Sequence, residues 1–320
     1  MRRYVQMSSL DKKVLFIRAK GDPSYLDLTG RGYTVVDPYF GNGIIGRIFR
    51  ELFFRLKFPF RNIWYRKIRS LTDFDYIIVF DPLITEHYLK WLHAKTSGLT
   101  NLIFSYGNLV GHARHIKPEL IPKEYTVFTY DENDSIKYGL KLNNHVILAE
   151  KAYHLPTDYK TIDITFIGTN KGRGKKITEL ESVFHEKGLK TFFYIVPDRK
   201  FPFSNIKGNR QLKYDAFLEY VSRSKCVLNY VYEGQTGISL RDIEALSNGI
   251  KLITNNVSIQ NRFFYNSRDV FLLGKDDLNN IGKFVSSEFM PLCPEFFTYY
   301  SFESWLLTYI EGNSETISFP

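Results

Sequence analysis

Two stretches of this chain set glycine, hydroxyl and cationic residues directly after a β-type run and directly before a helical one. The first is Gly168-Thr169-Asn170-Lys171-Gly172-Arg173-Gly174-Lys175-Lys176. Glycines let a backbone approach a phosphate, a helix N-terminus offers N–H groups, and Lys171, Arg173 and Lys176 bring positive charge. The chemistry expected there is the holding of a phosphate or diphosphate; the alternative is a plain turn with solvated lysines. The spacing is neither G-x-x-x-x-G-K-[ST] nor G-x-G-x-x-G, so a P-loop ATPase and a standard dinucleotide site are not supported. The second stretch runs over residues 233–249. In it Gln235, Thr236, Gly237, Ile238 and Ser239 precede a helix that carries Arg241 and Glu244. These form a second anion cradle, and Glu244, one turn further in on the face of Leu240 and Arg241, is placed to accept both hydroxyls of a ribose whose pyrophosphate sits at the helix N-terminus. The alternative is a capping turn with an ordinary ion pair from Arg241 to Glu244 or Asp242.

Such loops act only if a sheet holds them at one end. In the first half, short continuous apolar runs at residues 13–18, 34–37, 76–80, 101–106 and 127–130 predict strands covered on both faces, the habit of a parallel sheet flanked by helices. In the second half, strands are predicted at 162–167, 190–196, 226–230, 251–254 and 270–273. Helices at 175–187, 214–224, 240–247 and from 276 separate them, as parallel crossovers require. The fold class is therefore α/β, with doubly wound sheets whose ligands lie beyond the carboxyl ends of the strands. Residues 150–161 break the pattern and are read as a linker. The expected organisation is a first domain over 1–150, a second over 151–295, and a helix and tail over 296–320 that cross back to the first.

A chain of 320 residues with 44% hydrophobic residues fills two such cores without disulfides or a structural metal. Its cysteines, Cys226 and Cys293, form no C-x-x-C pair, which fits a reducing, cytoplasmic setting. The start, Met1-Arg2-Arg3-Tyr4, lacks the apolar stretch of a signal peptide, and no run approaches the ~18 to 20 apolar residues of a membrane span. The net charge is +9, and residues 47–69 hold eight basic residues against one acid, Glu51. Phe49, Phe53, Phe54, Phe58, Phe60, Trp64 and Tyr65 are interleaved with them. That mixture suits the headgroup region of an anionic bilayer at the inner face of the plasma membrane, with Arg61, Arg66, Lys67 and Arg69 as the membrane or acceptor patch. The competing reading is a solvated helix whose stripe Phe49, Leu52, Phe53 and Leu56 packs on the core. No nucleic-acid motif accompanies the patch, which disfavours a nucleic-acid partner.

The run 233–249, followed by Ile250-Lys251-Leu252-Ile253-Thr254-Asn255, resembles the donor-binding segment of GT-B glycosyltransferases. Residues 129–140, Thr-Tyr-Asp-Glu-Asn-Asp-Ser-Ile-Lys-Tyr-Gly-Leu, are similar to a stretch in bacterial lipopolysaccharide-core and related polysaccharide transferases, including rhamnosyltransferase-like ones. The resemblance implies two Rossmann-like domains facing a cleft. It implies a nucleotide-sugar donor with no further cofactor, and a glycan or glycolipid acceptor. By it Glu244 binds the donor ribose, Gln235 to Ser239 the pyrophosphate or sugar, and Arg173 with Lys176 the leaving diphosphate; Gly168, Thr169 and Lys171 complete the donor loop. Glu233 lies eleven residues before Glu244 rather than the eight of the retaining pattern, so the stereochemistry stays open. No D-x-D motif follows a strand, so cations and helix N-termini are expected to stabilise the diphosphate without a metal. An inverting reaction would need a base for the acceptor proton. Asp81, at a strand end, and His112 are the candidates, with His115 a competitor; the alternatives are that Asp81, before Pro82, caps a helix and that the histidines lie at the surface. Two other functions remain open: a non-catalytic binder of anionic lipid or nucleic acid, and a sugar-nucleotide epimerase of the same fold.

Overall fold

The computed structural model describes residues 12–19, 28–41, 43–81, 83–96, 98–111, 115–147, 159–198 and 209–312. Two compact units divide the chain, Met1–Asn143 with Leu307–Ser314 and Asn144–Leu306 with Glu315–Pro320.

The first unit is built on strands β1 (Val14–Ile17), β2 (Thr34–Val36), β3 (Tyr76–Phe80), β4 (Asn101–Ser105), β5 (Tyr125–Thr129) and β6 (Lys141–Leu142), in the order β2-β1-β3-β4-β5-β6. Every pairing is parallel. Val14, Leu15, Phe16 and Ile17 are all buried, because a strand covered by helices on both faces has no solvent side. β6 was not predicted: it is two residues long, carries a lysine and has no apolar run to announce it. Helices α1 (Ile44–Arg55), α2 (Glu86–His93) and α3 (Glu132–Tyr138) connect the strands. α3 starts at Asp131, whose carboxylate accepts the Asp134 N–H at 3.1 Å, and stops at Gly139, which takes φ 64°.

The second unit uses α4 (Gly174–Glu186), α5 (Tyr214–Ser222), α6 (Leu240–Ser247) and α7 (Ile281–Ser286) around β7 (Ile162–Thr169), β8 (Thr191–Val196), β9 (Ser224–Asn229), β10 (Lys251–Thr254) and β11 (Val270–Leu272). The strand order is β11-β10-β9-β7-β8, again wholly parallel. The chain leaves β7 toward β8 on one side and returns to β9 on the other. The switch point therefore lies between β7 and β9, and a crevice opens at their carboxyl ends.

The single helix expected over the tail is two, α8 (Pro294–Tyr299) and α9 (Phe302–Glu311). The break is at Ser301, whose hydroxyl accepts the Ser304 N–H at 3.1 Å and restarts the helix. The last turns of α9 belong to the first unit. There the Tyr309 hydroxyl meets Ser105 Oγ at 2.6 Å, and its ring packs edge-on to Phe128 at 4.9 Å.

α1 corrects the core-packing reading of the aromatic stripe. Gly46 presses against the preceding turn, where a Cβ would come within 2.6 Å of the Gly41 carbonyl oxygen. This fixes the helix with Arg50 and Phe54 inward. Phe54 packs on the core and Phe53 is half-buried, whereas Phe49, Leu52 and Leu56 are 60%, 49% and 57% exposed.

Candidate functional site

The loops after β7 and β9 meet at the switch point of the second unit, and their backbone is largely satisfied by the chain itself. Lys171 and Gly172 take left-handed φ values of 48° and 79°. Both N–H groups are taken by Asp198, just beyond β8: Oδ1 accepts from Lys171 at 2.7 Å and Oδ2 from Gly172 at 3.2 Å. Asn170 Oδ1 accepts the Gly174 N–H at 2.6 Å and caps α4. The predicted phosphate cradle thus already holds a carboxylate of this chain. The glycines also make room for protein: a Cβ on Gly168 would lie 3.0 Å from Arg241 Nη2 and 3.2 Å from Phe166 Cζ, and one on Gly174 would overlap Asn170 Oδ1. Thr169 ends β7 in register with Val196.

The second loop is closed by a capping box, in which the Ser239 side chain accepts from the Asp242 backbone and Asp242 Oδ2 accepts the Ser239 N–H at 2.8 Å. Asn229 donates to Asp242 Oδ1 at 2.6 Å and to Ser239 Oγ at 2.9 Å. Ile238, expected to contact a donor, is a core residue packed with Ile243 and Leu246, because an isoleucine beside a strand end gains more from burial than from solvent. The carbonyl of Thr236 accepts from Ser258 Oγ at 2.8 Å, and that of Gly237 from Asn256 Nδ2 at 3.3 Å. Asn255 clasps Val231 through both its side-chain atoms, at 2.6 and 3.1 Å. Neither ion pair weighed for Arg241 forms. Its Nη2 donates to the Ile167 carbonyl at 2.7 Å and its Nη1 to Asn229 Oδ1 at 3.0 Å. Burial, with Arg173 adding to it, pulls this guanidinium down to about 10. Glu244 is buried, its Oε1 accepts from the Tyr214 hydroxyl on α5, and burial raises its carboxyl to about 7.

What remains for a ligand is a group of cations beside an open pocket. Arg173 lies 5.4 Å from the Tyr232 ring centre and 5.8 Å from that of Phe166, and its Nη1 donates to the Tyr230 carbonyl. Lys171 Nζ is 5.8 Å from the Tyr232 ring, and Arg241 is 5.5 Å from Phe166. The Nε atoms of Arg173 and Arg241 are buried without a hydrogen-bond partner. Burial lowers Lys171, and Arg173 and Arg241 push it further in that direction, while Asp198 alone opposes. A pocket of about 410 Å³ opens between residues 230–236 and 255–258, with Lys176 in its lining. Of the predicted donor residues, Lys176, Gln235 and Thr236 line it, and Lys171 and Arg173 reach its Tyr232 wall. Glu244, Ile238, Ser239 and Arg241 stand outside its lining. Tyr232, Asn256 and Ser258 were not predicted, and Asn255 was only the end of the run that resembles a donor-binding segment; the signal for Asn255, Asn256 and Ser258 was their place directly after the strand 251–254. Among the described residues no three His, Cys, Asp or Glu side chains gather as metal ligands would.

No family model matches the chain, and no curated protein resembles it in sequence. Among solved structures, sucrose-phosphate synthase from Thermosynechococcus elongatus superposes with a TM-score of 0.52 at 11% identity, over 94% of this chain and 98% of that one. HepE of Anabaena, in complex with UDP, gives 0.48 at 10% identity over 94% and 99%. The first likeness bears on fold alone, and the second adds nothing to it. The fold is of GT-B type.

In the first unit of this GT-B fold, Asp81 follows β3 with its side chain only 2% exposed. Its Oδ1 accepts the Gly107 N–H at 2.6 Å and its Oδ2 meets Nδ1 of His115, itself 2% exposed. Asp81 is therefore not an open base. Nor does it cap α2, whose cap is Thr85, accepting the Tyr88 N–H at 3.2 Å. His115 is likewise not a surface residue, and His112 lies outside the described residues. Of the basic patch, Lys67 and Arg69 are exposed, Arg61 is half-buried with an unpartnered Nε, and Arg66 is committed to protein. Its Nε donates to the Asp37 carbonyl at 3.2 Å, and its guanidinium lies 5.0 Å over Phe40. Among the described residues, no helix is long and apolar enough to cross a membrane.

Proposed function

We propose that this protein is a glycosyltransferase. It takes a nucleotide-diphosphate sugar in the second unit and passes a hexosyl or deoxyhexosyl group to a hydroxyl of a bacterial surface glycan such as lipopolysaccharide core. The carrying observation is the cation group at the switch point, where Lys176 lines a pocket of about 410 Å³ and Lys171 and Arg173, the latter with a buried unpartnered Nε, reach its Tyr232 wall. When the sugar–phosphate bond breaks, charge accumulates on the diphosphate. Arg173, tied to the Tyr230 carbonyl, and Lys171, beside the Tyr232 ring, are held in place to receive it, and the exposed Lys176 in the pocket lining adds its charge, which lowers the barrier without a metal. Because Asp198 and the capping box occupy the loop amides, side-chain cations rather than helix N-termini supply this field.

Glu244 is assigned to the donor ribose; it is buried outside the pocket lining, so this role requires the ribose hydroxyls to displace the Tyr214 hydroxyl from its carboxylate. The first unit supplies the acceptor side. Asp81 is committed to Gly107 and His115, so Asp81 positions its loop and the proton-accepting role falls to His112. The enzyme works at the cytoplasmic face of the membrane, where a glycolipid acceptor is presented.

Calorimetric titration with a panel of nucleoside diphosphates tests the reading. One diphosphate binds the wild type, and Arg173→Met and Lys176→Met each weaken it by about tenfold, as expected when one charge-assisted contact is lost. Failure of every diphosphate to bind the folded protein would overturn the proposal.

A further inference from the structure

α1 carries apolar side chains on its solvent face. Ile44, Ile48, Leu52 and Leu56 are spaced four apart and Ile45 and Phe49 flank them, so all six lie on one side of the helix. That side is opposite Gly46, Arg50 and Phe54, which face the protein. The six are exposed, from 47% at Ile48 to 73% at Ile44. The chain beyond the helix extends the face with Phe58, Phe60 and Ile63, of which Phe60 is 75% exposed. An ordinary surface helix places charges there, and soluble monomers rarely expose so continuous an apolar face without a partner.

The charges around it identify that partner. Arg47, Arg55, Lys57, Lys67 and Arg69 are exposed, and Glu51 is the sole acid between residues 47 and 69. A second copy of the chain on this face would bring like charges together, which costs several kcal/mol-scale penalties at an interface. A nucleic acid would want rings to stack its bases, yet most of the ridge is aliphatic. An anionic bilayer satisfies both features, apolar side chains entering the headgroup boundary and cations meeting lipid phosphates.

We propose that α1 and the segment to Ile63 form an interfacial wedge that lies in the plane of an anionic membrane. The wedge rests on the transferase reading only for its purpose, presenting the first unit to a membrane-borne acceptor. It differs from a purely electrostatic patch because apolar insertion resists salt, whereas attraction between exposed charges is screened over about 10 Å or less at physiological ionic strength.

The test sediments the full-length protein with phosphatidylethanolamine–phosphatidylglycerol vesicles and with phosphatidylcholine vesicles, at about 0.05 M and about 0.5 M salt. Wild type binds the anionic vesicles strongly in low salt and retains part of that binding in high salt. Ile48→Asp with Leu52→Asp, each about half exposed and checked as folded by thermal unfolding, lowers binding by about tenfold or more at either salt concentration. Arg47→Gln, Arg55→Gln and Lys57→Gln together lower only the low-salt binding, by about a hundredfold. Phe60→Trp reports insertion directly as a blue shift in emission on adding anionic vesicles. Equal sedimentation by the double aspartate variant, no blue shift, a dimer that this variant dissociates, or tighter binding to a single-stranded oligonucleotide than to vesicles would each overturn the wedge. Vesicle binding needs no donor, so a failed nucleoside-diphosphate titration would remove the transferase reading and leave this surface standing, and the reverse also holds.

Discussion

In the second unit Arg173 and Arg241 lie over the ring of Phe166, at 5.8 and 5.5 Å, with carbonyl oxygens taking their N–H groups. In the first, Arg47, Arg55 and Lys57 stand exposed beside aliphatic side chains that are exposed as well. The same residue types thus work in opposite regimes. Desolvated cations held by aromatic rings and carbonyls keep one geometry and act as fixed point charges at short range. Solvated cations on long side chains act as a field, strong over a broad anionic surface and weak toward any single group. Charge count alone does not separate these two regions; burial does.

The sharpest way to break this comparison is Arg241→Met. It removes the two hydrogen bonds of a buried guanidinium, to Asn229 Oδ1 and to the Ile167 carbonyl. Unfolding by urea should show a loss of about 3 kcal/mol. A loss within experimental error would mean that Arg241 is as dispensable as a surface cation.

A somewhat smaller effect is expected from pH. Burial lifts the Glu244 carboxyl from 4.5 to about 7, so between those values the native state holds a proton that the unfolded chain has released. Its contribution to stability is full below the unfolded value and is lost as pH rises through the folded one, amounting to about 3 kcal/mol at most. Denaturant unfolding of wild type at pH 5 and pH 8 should show this decline relative to Glu244→Gln. Parallel behaviour of the two proteins would place Glu244 in water.

Asp198→Asn comes next. It removes the carboxylate that, among the described residues, faces Lys171, Arg173 and the loop amides, so a diphosphate should bind about fivefold more tightly. The fold should lose about 1 kcal/mol, since an amide cannot accept both N–H groups. Weaker diphosphate binding in calorimetry would show that Asp198 organises the loop rather than competes for it.

At the small end, Lys67→Gln with Arg69→Gln should change unfolding free energy by no more than about 0.5 kcal/mol, because both side chains are solvated. Arg66→Gln should exceed that pair, since Arg66 ties Asp37 to Phe40. Chemical denaturation of the two variants side by side ranks them.

The strands of both parallel sheets could be read from the chain because a strand covered on both faces must be apolar throughout, as at Tyr76–Phe80 and Lys251–Thr254. β6 could not be read, since two residues at a sheet edge need no apolar run. The loops of the candidate site were legible as loops, from glycine between a strand and a helix. Their occupancy was not. Asp198 lies 27 residues beyond Lys171 in the chain, and only the parallel register of β7 with β8 brings its carboxylate onto the Lys171 and Gly172 amides.

Local composition thus determined by itself where strands, helices and glycine turns fall, and with them the α/β class, because each is set by periodicity and conformational preference within a few residues. It also determined that positive charge gathers in residues 47–69 and 171–176. Tertiary structure decided which groups those charges meet. Gly46 packs against Gly41 and turns the apolar ridge of α1 outward. The strand order sets Arg241 under Gly168 and Asp198 in the amide cradle. The physical reason is one of range. Conformational preference acts between neighbours in sequence, whereas desolvation and hydrogen-bond partnership depend on what lies within a few ångströms in space, and most of that comes from distant parts of the chain.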